Sequence, residues 1–552
     1  MERRGPGWAA TATAVQRLVG VVTLLVVAGV LVAPRMSNNR YDATQVALAL
    51  AVVVAVWCLW GRLPDGVLRG RRVPDRAWDA VAAAGCVAGA VVALVVAHGS
   101  VHTLTWDPRD VRLASATPPG EFTPAQVEYF SRYPNLVPLL AVARTLRSAG
   151  ARVGVTDYET LFGAANAAAL LVTAVALYLT TRRVRGPAWG VLGLLPLFAL
   201  LGTSPWLAVP YTDVLTLWAP MTAVALFTAG LRLRRRRHLL AIAAGGAVLG
   251  VGATVKVTPA VGLVAVLLTV ALVALAGPAP AAADGSRAPS RRWLAAGAAV
   301  AVAGFAVGGA AAGTWARENA RTPPLIPDRA ATPLTYLASG VRVQHDNPVA
   351  VTYGGYDAVV WHRTMERDRA TQNRVARELI RQEWEARGPA GMARFAVEKT
   401  LFNWGDGMFW AWGEGTDAKR PPPRRDPVID AVSSWNRPGG DHYPARVTAA
   451  QVAWLAVLVG MGAGLALSRY RPELLLAALT IVGIAAFTLV LQGRSRYLIG
   501  HVPVVVALAA CVVPVPPRRG REKPEPAAPT TPEAAPVAGS RATRRPEAER
   551  VP

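Results

Sequence analysis

The chain has 552 residues, 53% of them hydrophobic and 17% charged, which excludes an ordinary soluble globular protein and reads as a membrane protein. Its 59 Lys and Arg against 35 Asp and Glu give a net charge of +24, yet the basic residues gather at the ends of long apolar stretches, so they read as topology signals and not as a nucleic-acid surface. The three cysteines, Cys58, Cys86 and Cys511, each lie inside an apolar run with no Cys-x-x-Cys or Cys/His spacing nearby, which excludes a disulfide framework and a cysteine zinc site. Only Lys256, Lys399, Lys419 and Lys523 are lysines, and with the excess of Ala, Val and Gly this reads as the coding bias of a high-GC bacterium.

A helix that crosses hydrocarbon needs about 20 mostly apolar residues. In chain order the candidate spans lie near 16–33, 43–60, 78–97, 158–181, 187–203, 211–231, 239–255, 257–276, 293–313, 448–468, 473–491 and 496–515. The first has no Ala-x-Ala cleavage site and is long for a signal-peptide core, so it reads as a retained anchor. The expected fold is thus an all-α polytopic membrane protein of about twelve transmembrane helices, with juxtamembrane helices in a first large outer loop and a second outer domain.

Residues 1–97 form the N-terminal transmembrane helices, and 98–157 an outer loop in which the run Leu136 to Leu146 is too short to cross and suits an interfacial helix. Residues 158–313 form the transmembrane core, 314–447 an extracytoplasmic domain, and 448–515 the C-terminal transmembrane helices. Within the domain, Arg363 to Arg387 carries Met365, Val375, Leu379, Ile380 and Trp384 at helical spacing and predicts one amphipathic helix. Phe402, Trp404, Phe409, Trp410 and Trp412 then crowd together and suit an element resting at the headgroup level. The segment 516–552, rich in Pro, Ala, Arg and Glu, predicts a disordered cytoplasmic tail.

Short cytoplasmic loops hold the excess of Lys and Arg. With the N-terminus inside, Arg182, Arg183 and Arg185, the run Arg234 to Arg237, and the basic tail all fall in the cytoplasm, while the short outer connections hold only Arg35, Arg40, Lys256, Arg494 and Arg496. Counting 136–146 as a further span would reverse that pattern. The protein is therefore expected to cross the cell inner (plasma) membrane many times, with both termini in the cytoplasm and the site on the extracytoplasmic side.

This topology draws Asp107, Asp110, Tyr211, Asp213, Lys256, Arg494, Arg496 and Tyr497 into one layer at the outer membrane surface. Ionisable groups at the edge of hydrocarbon are costly unless paired or facing a water-filled cavity, so each is a functional candidate, with mutual pairing or lipid anchoring as the plain alternative. His98 and His102 stand four apart, a spacing that can hold a metal, although interfacial histidines are commoner. Lys399 and Asp406 beside the aromatic cluster suit acceptor or headgroup contact, or else surface pairing.

The stretches Trp106-Asp107-Pro108-Arg109-Asp110, Glu128 to Asn135, Ser204-Pro205-Trp206 with Pro210-Tyr211-Thr212-Asp213, Thr254 to Pro259, Asn403 to Gly407 and Arg494-Ser495-Arg496-Tyr497 together resemble the bacterial GT-C class of integral membrane glycosyltransferases, relatives of the protein mannosyltransferases and the lipid A aminoarabinose transferase. The resemblance covers residues 98–270 best and the rest through short islands. It implies inverting transfer of a monosaccharide from a polyprenyl-phosphate carrier to a hydroxyl acceptor of the cell envelope, whether glycan, lipid or protein.

The residues meet those demands. Asp107 is the expected general base, with Asp110 a second carboxylate or an arginine partner. Arg494 and Arg496 would grip the leaving phosphate bidentately with Lys256 as a point charge. Tyr133, Asn135, Tyr211, Asp213 and Tyr497 would bind substrate. No cofactor is assigned, a divalent metal stays open, and the expected partners are the lipid-linked donor, the envelope acceptor and the bilayer, with no nucleic acid. The rivals are a transporter or lipid flippase, a ligase that moves a whole glycan, and a scaffold without activity. Transporter folds usually show internal repeats and a polar site near the midplane, whereas these candidates lie at one edge.

Overall fold

A computed structural model describes residues 7–60, 73–232, 236–276, 291–345, 350–413, 416–417 and 419–514. The tail 516–552, Arg234 and Arg235 lie outside them. The chain is an all-α polytopic membrane protein. Among the described residues nine helices are long and apolar enough to cross a bilayer, and three shorter apolar helices cover Ala43–Cys58, Pro187–Gly202 and Ala260–Leu275.

The first helices are α1 (Gly7–Val32), α2 (Ala43–Trp60) and α3 (Asp75–Gly99). Three shorter ones follow, α4 (Trp106–Ala116), α5 (Pro124–Arg132) and α6 (Val137–Arg152). Local chemistry sets their ends. Thr123 and Gln126 exchange side-chain and backbone hydrogen bonds in a capping box that starts α5. Pro134 opens a 3-10 turn that hands the chain on to α6. The predicted run Leu136 to Leu146 is the end of that 3-10 turn and the first part of α6, which packs on α4 and on a later helix and buries Leu139, Leu140, Ala141 and Ala143.

The central helices are α7 (Tyr158–Arg185), α8 (Pro187–Leu197), α9 (Trp218–Arg232), α10 (Arg236–Val255), α11 (Ala260–Ala276) and α12 (Arg291–Ala320). Pro196 lies inside α8, and the chain after it passes through a π-helical turn, Phe198–Gly202, before the short turn Thr212–Leu215. Among the described residues the closest helix pairing joins α10 to α12 through glycine. A Cβ on Gly246 would lie 2.1 Å from Ala301 O, on Gly250 2.2 Å from Phe305 O, on Gly304 2.2 Å from Ala243 O, and on Gly308 2.3 Å from Ala247 O. In lipid, where apolar side chains gain nothing by leaving the solvent, such backbone contact is a main source of helix adhesion.

The second long connection holds α13 (Pro333–Gly340), α14 (Ala358–Thr364), α15 (Arg369–Trp404) and α16 (Pro427–Asn436), with a two-stranded antiparallel hairpin, β1 (Val343–Gln344) and β2 (Thr352–Tyr353). The single helix expected over 363–387 is two. The chain leaves α14 at Met365, and Asp368 caps the new start by accepting from Thr371 N at 2.8 Å. The second helix runs past 387 to Trp404 and kinks at Gly388, whose φ of 61° lies before Pro389. Arg342 ties the connection together, reaching Asp357 at 3.0 Å and Glu383 at 2.8 Å.

The aromatic cluster is covered by protein and does not present its rings outward. Phe402, Trp404, Phe409, Trp410 and Trp412 are all buried in the protein, and Trp454 of α17 (Tyr443–Leu467) stacks on Trp404 and donates to its carbonyl at 2.7 Å. The same composition serves a membrane belt and a core, and here the core takes it. The chain closes with α18 (Pro472–Val490), a 3-10 turn Ser495–His501, and α19 (Val502–Val512).

Candidate functional site

Three interruptions of helix place polar groups around one cavity of about 420 Å³. Lys256 stands in the break between α10 and α11, Tyr211 and Asp213 open the short turn before α9, and Arg496 and Tyr497 lie in the 3-10 turn before α19. Asn135, Tyr211, Asp213, Lys256, Arg496 and Tyr497 all line it, so six of the ten candidates meet in space. Irregular backbone next to a cavity is where a membrane protein can present side chains other than along a helix face.

The cations are held over aromatic rings. Lys256 pairs with Asp213, and its ammonium lies 5.2 Å from the centre of the Tyr497 ring. The Arg496 guanidinium lies 5.3 Å from the Tyr211 ring centre and 5.2 Å from that of Tyr497. Such contacts hold a cation where water is scarce. One oxygen of Asp213, Oδ2, has no hydrogen-bond partner among the described residues.

Asp107 is on the first turn of α4, beside the cavity and not among its lining residues. Two phenols hold it: Tyr129 donates to Oδ1 at 2.5 Å and Tyr211 to Oδ2 at 2.6 Å. Burial beside the Asp107 carboxylate pushes the Tyr129 hydroxyl well above its usual pKa, so it remains a donor. Tyr211 touches both halves of the site, with its hydroxyl on Asp107 and its ring under Arg496.

The sequence matches, over residues 37–515, the model of a family described as conserved hypothetical integral membrane protein. The chain belongs to that family. No curated protein matches it. Among solved structures it is similar to the archaeal oligosaccharyltransferase AglB from Archaeoglobus fulgidus in complex with an inhibitory peptide and a dolichol-phosphate, at 14% identity over 77% of this chain and 50% of that one, with a TM-score of 0.36. It is also similar to the Archaeoglobus fulgidus oligosaccharyltransferase in the apo form, at 14% identity over 78% and 50%, with a TM-score of 0.37. The chain spans half the length of these structures.

The remaining candidates of this integral membrane protein lie elsewhere. Asp110 is paired with its neighbour Arg109 at 3.1 Å and does not line the cavity. Arg494, two residues before Arg496, turns the other way: it is buried 4.7 Å over the Trp410 ring, against Gly355, and is absent from the lining. Tyr133 packs its ring 5.2 Å from Tyr129 and 5.6 Å from Trp361, and burial raises its hydroxyl to about 12. It therefore supports the layer behind Asp107 and does not face the cavity.

His98 and His102 do not share a helix face, because α3 ends between them. His98 meets Asp426 at 2.8 Å, and His102 is buried against Ser100 O at 3.0 Å. Among the described residues no group of three His, Cys, Asp or Glu is placed to hold a metal ion.

Lys399 and Asp406 are buried, which corrects both the contact and the surface readings. Lys399 donates to the carbonyls of Gly340, Leu489 and Leu491 at 2.7 to 2.8 Å, joining the ends of α13 and α18, and burial pushes its ammonium down to about 7. Asp406 accepts from Met408 N, Trp410 N and Ser495 Oγ, fastening the aromatic loop to the turn that carries Arg496. Sequence reasoning did not single out Tyr129, Tyr336 or Gln492, of which the last two line the cavity. Gln492 had a signal, being two residues before Arg494 at the end of an apolar run. Tyr336 had none.

Proposed function

We propose that the protein is an inverting glycosyltransferase that moves a monosaccharide from a polyprenyl-phosphate carrier to a hydroxyl acceptor of the cell envelope. The observation that carries the reading is Tyr211, which joins a carboxylate able to take a proton to a cation able to hold a phosphate, at the edge of a cavity that also holds Lys256. In the reaction the acceptor oxygen attacks the anomeric carbon from the face opposite the carrier. Its proton passes to Asp107, the bond from the anomeric carbon to the phosphate oxygen breaks, and the electron pair stays on that oxygen beside Arg496 and Lys256. Base catalysis contributes ~10²–10⁴-fold, and fixed cations at the leaving oxygen lower the barrier further.

A long polyprenyl chain leaves hydrocarbon at a cost of ~0.8 kcal/mol per CH₂, which is why such a donor would require a site at the membrane. In this reading the three shorter apolar helices also span, giving twelve. The termini lie inside, the site faces outward, and residues 98–157 and 314–447 form its outer parts. The arginine bias of the loops supports that orientation.

The test is transfer from a panel of radiolabelled polyprenyl-phosphate monosaccharides by membranes containing the wild type, Asp107→Asn or Arg496→Ala. Asp107→Asn is expected to bind donor and lose turnover, and Arg496→Ala to weaken donor binding as well. No turnover from any donor by the wild type would return the protein to the transporter and scaffold readings.

A further inference from the structure

Immediately before Asp107 stands Trp106, 61% exposed at the start of α4, on which Pro108 and Val111 are buried. Its φ is 51°, in the left-handed region that a bulky residue avoids. The indole meets Tyr356, from the second long connection, edge to face at 6.1 Å. Tyr356 in turn lies parallel to Trp361 at 5.7 Å and 7°.

That second layer is fixed from behind. Trp361 is buried, with the Arg132 guanidinium 4.9 Å over its ring, and Arg132 donates to the carbonyl and hydroxyl of Thr364 at 3.0 and 2.9 Å, closing the end of α14. The outcome is an aromatic array whose outermost ring is held in the open next to the candidate base.

A pyranose ring has an apolar face of C–H groups and a polar rim of hydroxyls. An exposed aromatic face suits the former, and the exposed Arg109 with the half-buried Asp110 it pairs with, one turn along α4, offer donors and acceptors to the latter. A tryptophan serving as a headgroup anchor needs only exposure. It has no use for a left-handed backbone, nor for a ring from a distant segment packed against it.

We propose that Trp106, backed by Tyr356 and Trp361, is a subsite for a pyranose of the acceptor, so that the acceptor is a glycan whose free hydroxyl is delivered to Asp107. The inference rests on the transferase reading and narrows its acceptor to one class. The indole sets which sugar sits beside the carboxylate, and the donor cavity lies on the other side, beyond Tyr211.

The experiment uses the full chain in phosphatidylcholine nanodiscs, with methyl α-glucopyranoside, methyl α-mannopyranoside and methyl α-galactopyranoside as probes in saturation-transfer NMR. Transfer to the ring C–H protons of at least one probe is expected, falling at least five-fold in Trp106→Ala and kept in Asp107→Asn. Trp106→Gly, which accepts the left-handed conformation freely, should also lose the signal while its Tm stays level or rises. No transfer from any probe, or equal transfer in Trp106→Ala, overturns the subsite. So does quenching by brominated lipid that disappears in Trp106→Phe, because it would put the indole in the headgroup layer. Donor turnover without pyranose binding sinks the subsite alone, whereas pyranose binding without donor turnover sinks the transferase reading and with it the acceptor role of the subsite.

Discussion

Lys256 and Asp213 are a pair whose structural and chemical roles separate by mutation. The lysine side chain is 10% exposed and the aspartate 1%, so each charge relies on the other in a place with little water. Lys256→Met strands the carboxylate, one of whose oxygens already has no hydrogen-bond partner among the described residues, and removing one member of a buried pair costs about 3–5 kcal/mol. The double variant Lys256→Met with Asp213→Leu removes both charges and is expected to regain stability to within about 1 kcal/mol of the wild type, since apolar replacement of a buried pair is often neutral. It should not regain transfer. A cation missing from the leaving phosphate costs ~10²–10³ in turnover, and no apolar side chain restores it. Thermal unfolding in nanodiscs reads the first effect, and labelled-sugar transfer the second. A single variant as stable as the wild type would refute the burial argument, and a double variant with full turnover would make the pair purely structural.

Gly250→Ala is expected to destabilise by about 1–3 kcal/mol, because its Cβ would sit 2.2 Å from Phe305 O, whereas Gly309→Ala on the same seam has its nearest neighbour at 3.6 Å and should be neutral; Tm of the two variants checks both. For Lys399, whose ammonium titrates near 7 in the folded chain and near 10.5 when unfolded, the unfolded state holds a proton that the folded state has released between those values. Stability should therefore rise with pH across that window, by at most ~1.4 kcal/mol per unit, and be flat in this respect below 7. Lys399→Met, compared by denaturation at pH 7 and pH 9, should lose that slope; an unchanged slope would assign it to another group.

The membrane architecture was legible because length and hydropathy are properties of a stretch and need no partner. Lys256, Tyr211 and Arg496 could be found for a similar reason: a polar residue at the end of an apolar run is conspicuous in one dimension. Arg494 could not be separated from Arg496. Both stand on the same short stretch, and only the extended backbone at Arg494, with φ of −147°, sends one guanidinium toward Trp410 while the other reaches the cavity. The aromatic run from Phe402 to Trp412 misled because burial by protein and contact with headgroups select the same residues. Tyr129 and Tyr336 were hidden for a further reason, since neutral aromatic side chains acquire a function only from what tertiary packing sets opposite them. The break between α14 and α15 was written in Asp368 as a cap, but the helical spacing of the apolar residues runs on across it.

The order in which the chain supplies its parts bears on biogenesis. Asp107, Tyr211 and Lys256 are synthesised long before Arg496, which belongs to the last apolar segment, and Ser495 beside it is what Asp406 fastens in place. A nascent chain inserted as far as α18 has a carboxylate, a lysine and an open polar hollow, but no second cation and no Tyr497 to floor it. Completion of the hollow thus waits for the segment that carries Ser495 to Tyr497, so a product stalled before it lacks part of the cavity lining. Loss of the segment that carries Ser495 to Tyr497 would for this reason remove both the Asp406 fastening and part of the cavity lining.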